Sequence, residues 1–200
     1  MIRLVGMGPG SLKHVTMEAV DSIRAADKVI AFGRIAGTAK KIRTDICVVN
    51  RVDEVPELLK LEKDTAILAS GDPCFYGILD YLGKQGIFID EVVPGLSSMQ
   101  YLMAKLKKSW HRAALTSFHG READIESIRS CREAVILADS EHTPCYISLY
   151  LRDNGIKGRL YAGFNLSYDN EKIIEKRIGE QIEDFSPLAL VVIENEMDQR

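Results

Sequence analysis

Short apolar runs that stop abruptly in glycine, proline or small polar residues recur along this chain. Ile2-Arg3-Leu4-Val5 stops in Gly6-Met7-Gly8-Pro9-Gly10, and Ala66-Ile67-Leu68-Ala69 stops in Ser70-Gly71-Asp72-Pro73. Runs this short and apolar read as strands buried on both faces. Between them the apolar positions take helical spacing: Ala19, Val20, Ile23 and Ala26 form one stripe, with Thr16 placed as an N-cap and Glu18 in the first turn. The pattern predicts strands over 2–6, 28–31, 46–49, 65–69 and 88–93, and helices over 53–61, 75–84 and 97–107. Such alternation implies right-handed βαβ units and a mainly parallel sheet.

Near Lys105-Leu106-Lys107-Lys108 the chain turns basic and solvated, and Trp110 follows, so a boundary is expected there. Domains over 1–108 and 112–200 result. Beyond the boundary the pattern predicts strands over 112–118, 134–138 and 159–164, with helices over 121–130 and 142–153. Glu171–Ile178 and Leu188–Glu194 then read as two successive strands, which predicts an antiparallel edge and a mixed second sheet. No internal repeat or low-complexity segment is visible.

Ligands of open α/β sheets bind outside the carboxyl ends of the strands, so the breaks carry the chemistry. The first resembles a dinucleotide turn but fails in detail. Ser11 stands where Gly-x-Gly-x-x-Gly needs its last glycine, and Ala31-Phe32-Gly33 offers no acidic ribose ligand. Pro9 also lacks the N–H that a phosphate cradle uses. No P-loop occurs. In the second break Gly71 permits close backbone approach, Asp72 supplies acceptors, and Pro73 suits a helix start. Val93-Pro94-Gly95-Leu96-Ser97-Ser98 is a third break, whose serines can cap a helix or meet a ligand. In the second half, Ser117-Phe118-His119-Gly120-Arg121 sets a histidine and an arginine at a strand end, and Asp139 ends another strand, as a helix cap or a ligand contact. His14, His111 and His142 read as surface or capping residues.

The composition, 46% hydrophobic and 28% charged with a net charge of −3, is that of an ordinary folded protein. It gives no general attraction to nucleic acid or an anionic membrane, so an anionic ligand must meet local basic groups. Cys47, Cys74, Cys131 and Cys145 show no Cys-x-x-Cys and no histidine at ligand spacing, so no metal site is expected. Leu188–Ile193 is too short to span a bilayer. The amino terminus enters a strand directly, so no signal peptide is expected, and the cytoplasm is the expected compartment.

The three breaks, in this order and spacing, resemble the tetrapyrrole methylases, S-adenosylmethionine-dependent enzymes of corrin and sirohaem synthesis. Ser117 to Arg121, Asp139 to Pro144 and Asn165-Leu166-Ser167-Tyr168-x-x-Glu171 are similar to the branch that methylates C5 of precorrin-6Y or cobalt-precorrin-7 in cobalamin synthesis. Phe164 departs from that pattern, which has an acidic residue before the asparagine. The resemblance spans essentially the whole chain. It implies two α/β domains, the first mainly parallel and the second mixed, with S-adenosylmethionine in a cleft between them. The cofactor contacts it implies are Pro9, Ser70, Gly71, Asp72, Phe75, Ser97, Ser98, Ala138, Asn165 and Leu166. It further implies His119 and Arg121 on the catalytic, substrate-facing side, with Arg112, Asp139 and Lys108 toward the carboxylate-rich substrate. A homodimer is implied too. In some organisms the activity is fused to a C15-methylating decarboxylase; this chain is expected to stand alone with that enzyme as a separate partner.

Two other classes stay open on the residues alone. One is a same-fold methylase acting on another tetrapyrrole position, on diphthine or on RNA, the last two disfavoured by the His119-Gly120-Arg121 break and RNA also by the lack of a basic patch with interleaved aromatics. The other is a non-catalytic module that senses a nucleotide or only binds the macrocycle.

Overall fold

A computed structural model describes residues 1–59, 64–118 and 124–196. The chain divides into two compact units, Met1–Ser98 and Met99–Arg200.

In the first unit, strands β1 (Ile2–Gly6), β2 (Lys28–Phe32), β3 (Cys47–Val49), β4 (Thr65–Ala69) and β5 (Glu91–Val93) form one sheet in the order β3-β2-β4-β1-β5. Every pairing is parallel, with Gly6 beside Ala69 and Val5 beside Val93. The uninterrupted apolar runs are explained by two covered faces. Val5, Val29, Ala31, Ala66 and Leu68 pack under α1 (Met17–Ala25) and α2 (Gly33–Ala39). Leu4, Ile30, Ile67 and Ala69 face the other way, toward α3 (Val55–Leu59) and α4 (Leu79–Lys84). All five β4 residues are buried.

Thr16 caps α1 as expected, accepting from the Ala19 N–H at 3.1 Å. The sequence pattern misses α2, and its composition explains why. Gly33 and Gly37 each weaken a helix by about 1 kcal/mol, and Phe32 gives no side-chain cap. Burial of Ile35, Ala36 and Ala39 against the sheet overrides that penalty. The helix expected over 75–84 begins at Leu79, because residues 72–78 coil back on themselves. A Cβ on Gly77 would overlap the Pro73 carbonyl, and Tyr76 sits at φ 49°.

In the second unit, β6 (Ala114–Ser117), β7 (Glu133–Leu137), β8 (Gly158–Phe164), β9 (Lys172–Arg177) and β10 (Ala189–Asn195) take the order β6-β7-β10-β8-β9. β6 and β7 are parallel, and the other three pairings are antiparallel. Only β9 lies at the expected antiparallel edge. β10 inserts between β7 and β8, where Leu190 to Ile193 are buried on both faces. Helices α6 (Ile125–Ser130) and α7 (Pro144–Asp153) cover one face through Ile128, Ile147 and Leu151.

Helix α5 (Ser98–Leu106) joins the second unit for most of its length. Leu102 reaches Gly163 of β8, Lys105 pairs with Glu171 at 3.4 Å, and Lys108 beyond it pairs with Glu194 at 2.9 Å. The boundary expected near residue 108 thus stands one helix past the division at Ser98. No described helix is long and apolar enough to cross a membrane.

Candidate active site

The register of the first sheet gathers the three glycine breaks at the carboxyl ends of β4, β1 and β5. Their main chains are locked together. Gly8 N donates to Gly71 O at 3.2 Å, Gly71 N donates back to Gly8 O at 2.8 Å, and Met7 N donates to Ala69 O at 2.9 Å. A Cβ on Gly6 would lie 2.6 Å from Gly95 N, and one on Gly95 would overlap the Gly71 carbonyl oxygen. Glycine is therefore required by contact between loops. Gly71 is also required by its φ of 66°.

Asp72 accepts from Cys74 N through Oδ1 at 2.7 Å and from Gly95 N through Oδ2 at 3.3 Å. Its carboxylate ties the β4 break to the β5 break. Around this knot Pro9 and Ser97 are buried, Ser70 is exposed, and Gly71, Asp72, Phe75 and Ser98 are half-buried. A Cβ on Gly71 would meet nothing nearer than Ser97 Cα at 3.7 Å, so the ledge is open enough for a ligand to reach the main chain. Such a ledge suits a polar small molecule held by backbone groups and short side chains. On that test the expected donor fits the first-unit residues.

The carboxyl ends of the second sheet are built differently, from side chains. Asp139 follows β7 and accepts from the Glu141 N–H at 2.9 Å and the His142 N–H at 2.6 Å. The same Oδ1 lies 3.0 Å from His142 Nδ1. Burial pushes the Asp139 carboxyl up, but these hydrogen bonds outweigh it and hold it below the usual carboxylate range. The His142 ring stacks on Phe118, with centroids 5.1 Å apart and planes at 25°, and meets Tyr146 edge-on at 5.1 Å. Ala138, half-buried, connects β7 to this cluster.

After β8 the chain turns sharply. Asn165 and Ser167 hold φ of 47° and 69°, and such non-glycine strain gathers at ligand sites. Asn165 N donates to Leu188 O at 3.0 Å, and its Oδ1 accepts from the Ser186 hydroxyl at 2.7 Å. Glu171 accepts from the Ser167 N–H at 2.6 Å and pairs with Lys105. Burial pushes the Glu171 carboxyl up, but Ser167, the Tyr101 hydroxyl and Lys105 together hold it below its ordinary value. Leu166 is buried within this turn.

The site residues expected from sequence therefore separate. Pro9, Ser70, Gly71, Asp72, Phe75, Ser97 and Ser98 come together in the first unit. Ala138 and Asp139 follow β7 in the second unit, and Asn165 and Leu166 follow β8. Because β7 and β8 run antiparallel to β10, both turns lie at one end of that sheet. Arg112 precedes β6, at the opposite end from Asp139. There it lines an open pocket of about 430 Å³ with Lys108, His111, Arg132 and Glu133. His119 and Arg121 lie outside the described residues.

Sequence reasoning passed over His142 as a capping residue and did not assign Ser186, Tyr101 or Lys105. The one available signal for His142 was its place three residues after a strand-ending aspartate. Among the described residues, no group of three or more His, Cys, Asp and Glu side chains could hold a metal ion.

The family model of tetrapyrrole (corrin/porphyrin) methylases matches residues 1–181. The chain is 33% identical to a probable cobalt-precorrin-7 C(5)-methyltransferase of Methanocaldococcus jannaschii, across 98% of this chain and 99% of the relative. A solved precorrin-6Y methylase of cobalamin biosynthesis from Archaeoglobus fulgidus superposes with a TM-score of 0.77 at 25% identity, covering 98% of this chain and 99% of that one. A uroporphyrin-III C-methyltransferase of Thermus thermophilus, solved with S-adenosylhomocysteine, shares the fold with a TM-score of 0.76 at 21% identity and 96% coverage of both chains. With a family match over most of its length and a relative above 30% identity end to end, this chain belongs to the tetrapyrrole methylases.

Proposed function

We propose that this chain transfers a methyl group from S-adenosylmethionine to C5 of a late precorrin, cobalt-precorrin-7 or precorrin-6Y, in cobalamin synthesis. The observation that carries this reading is the end-to-end similarity to a C5-methyltransferase at 33% identity. It is supported by strand-end loops that suit a polar donor.

We assign the donor to Pro9, Ser70, Gly71, Asp72, Phe75, Ser97 and Ser98 in the first unit, and to Ala138, Asn165 and Leu166 in the second. The donor supplies an already activated methyl on sulfonium. The protein's task is then positioning, because reaction needs carbon and methyl at about 3–3.5 Å and in line. The glycine knot is suited to this, since main chain locked at three strand ends presents its polar groups with little freedom to move. Asp72 acts by holding two of those loops in register. His119 and Arg121 are assigned to the substrate, whose carboxylates call for arginine, whereas Arg112 stands at the opposite end of the second sheet and the Asp139 carboxylate is engaged by His142, so neither is assigned to it. The protein is further proposed to act as a homodimer in the cytoplasm, with the C15-methylating decarboxylase as a separate enzyme.

Incubation with methyl-labelled S-adenosylmethionine and each candidate precorrin, followed by NMR location of the new methyl, tests this. Label at C5 is expected. Label at another ring position would replace the acceptor, and calorimetric binding of S-adenosylmethionine without transfer would replace the activity.

A further inference from the structure

We infer that His142, oriented by Asp139, is the group that removes the proton from C5 after the methyl arrives. This rests on the C5-methyltransferase reading above.

The chemistry requires such a group. C5 of the macrocycle is taken as a bridging methine carbon. When its π electrons form the new carbon–methyl bond, the methyl–sulfur bond breaks and its electron pair stays on sulfur. C5 then carries both a hydrogen and a methyl, and the ring carries the positive charge. Conjugation returns only when the C5–H bond breaks, its electron pair re-entering the ring and its proton passing to a base. A positioned side chain near neutral basicity does this best.

The cluster at the end of β7 has the features of such a base. An ionised carboxylate only accepts hydrogen bonds, so Asp139 at 3.0 Å from Nδ1 fixes the proton on that nitrogen. Nε2 is then the nitrogen with the lone pair. Asp139 is the more sheltered partner, with its side chain 16% exposed against 28% for His142. The ring is thus the more accessible of the two groups.

A purely structural account explains less. The helix that follows is capped by Thr143, whose Oγ1 accepts from the Tyr146 N–H at 3.3 Å, so Asp139 is not needed as its cap. The turn is already closed by the two backbone N–H groups that Asp139 accepts. The bond to Nδ1 adds nothing to that turn and does orient the ring. Phe118, one residue past β6, and Tyr146 clamp the ring from two sides. Phe118 also meets Tyr150 edge-on at 5.3 Å, so the clamp is itself braced. The dyad lies at the carboxyl ends of two adjacent parallel strands, the end of a sheet where ligands bind.

The test uses the whole chain with C5-deuterated cobalt-precorrin-7 and methyl-labelled S-adenosylmethionine. His142→Gln is expected to lower turnover by about 10²- to 10³-fold and to expose a deuterium isotope effect at C5 that the native protein lacks. His142→Gly should regain part of its activity with added imidazole. Asp139→Asn should lower turnover less, and nitrogen-15 NMR should show the Nδ1-protonated ring of the native protein redistributing its proton in that variant. Undiminished turnover in His142→Gln overturns the inference. So does a folded His142→Gln that loses activity with no isotope effect, together with a His142→Gly that imidazole does not rescue. If the native protein methylates no candidate at C5, the C5 reading itself falls and takes this role with it. Native activity with an unaffected variant removes His142 alone.

Discussion

The two units put the carboxyl ends of their sheets to use in opposite ways. In the first, Gly6, Gly71 and Gly95 bring three main chains into contact, and Asp72 serves them by accepting backbone N–H groups. In the second, the turns after β7 and β8 are shaped by side-chain pairs: Asp139 with His142, Asn165 with Ser186, and Glu171 with Lys105. A backbone knot tolerates almost no added atom but is indifferent to charge. A side-chain network tolerates small changes of volume but depends on protonation and on each partner. Substitutions and pH should therefore act differently on the two.

Gly95→Ala is the strongest test of the first half. Its Cβ would overlap the Gly71 carbonyl and lie 2.8 Å from the Gly6 carbonyl carbon, all backbone that cannot move aside. A loss of about 3 kcal/mol is expected, the upper end for overpacking, read as a lowered midpoint of urea unfolding. Binding of S-adenosylmethionine, followed by calorimetry, should weaken with it. A variant as stable as the native chain would show that the loops are not close-packed.

That contrast also explains what could be read in advance. Glycine and proline placed beside apolar runs report backbone constraints directly, so the breaks after Val5, Ala69 and Val93 were visible as local sequence. The parallel first sheet and mixed second sheet followed from the alternation of runs. Helix α2 was hidden because its two glycines argue against a helix that only tertiary burial stabilises. The central place of β10 was hidden because strand order is set by pairings far apart in sequence, such as Val191 with Ile136. The Asn165–Ser186 bond spans 21 positions, and neither residue type alone marks a site. His142 was close to its partner yet masked by the equally good capping role of its neighbours.

Glu171→Gln tests the second half at the β8 turn. The amide can still accept from Ser167 but gives up the charge that pairs with Lys105. Only a small loss of stability is expected, because the Lys105 end of the pair is exposed and screened by water. The strained Asn165–Ser167 turn should loosen, so the KM for S-adenosylmethionine should rise severalfold while kcat changes little. A fall in kcat alone would place Glu171 in the chemistry rather than behind the turn.

Acid should separate the units as well. Glu194 is lowered chiefly by the hydrogen bond from Lys108, and Glu171 and Asp139 are lowered because hydrogen bonds overcome burial. Each carboxylate binds its proton at lower pH when folded than when unfolded. Its stabilisation is thus complete above the ordinary glutamate value of 4.5 and is lost as pH falls through the lowered folded value. In the first unit Asp45 is held at about 2 by its hydrogen bond from Arg43, but it is fully exposed and screened by water. Hydrogen exchange below pH 4.5 should therefore show protection falling first around β8, β10 and the β7 turn. Combined Glu171→Gln and Glu194→Gln should flatten that loss. Earlier loss in the glycine knot would contradict the contrast.

The smallest effect compares two chemically matched caps. Thr16 and Thr143 each accept from the N–H three residues on, at 3.1 Å and 3.3 Å. Replacing either with alanine should cost about 1 kcal/mol. Their consequences for turnover should nevertheless part. Thr16 opens a helix that only covers the first sheet, so Thr16→Ala should leave methyl transfer unchanged. Thr143 follows His142 directly and fixes the turn of helix that carries Tyr146 against the histidine ring. Thr143→Ala should free that ring and lower turnover severalfold at equal stability cost. Equal turnover in the two variants would mean that the ring is held by Asp139 and Phe118 alone, and that the aromatic clamp from α7 contributes packing without orientation.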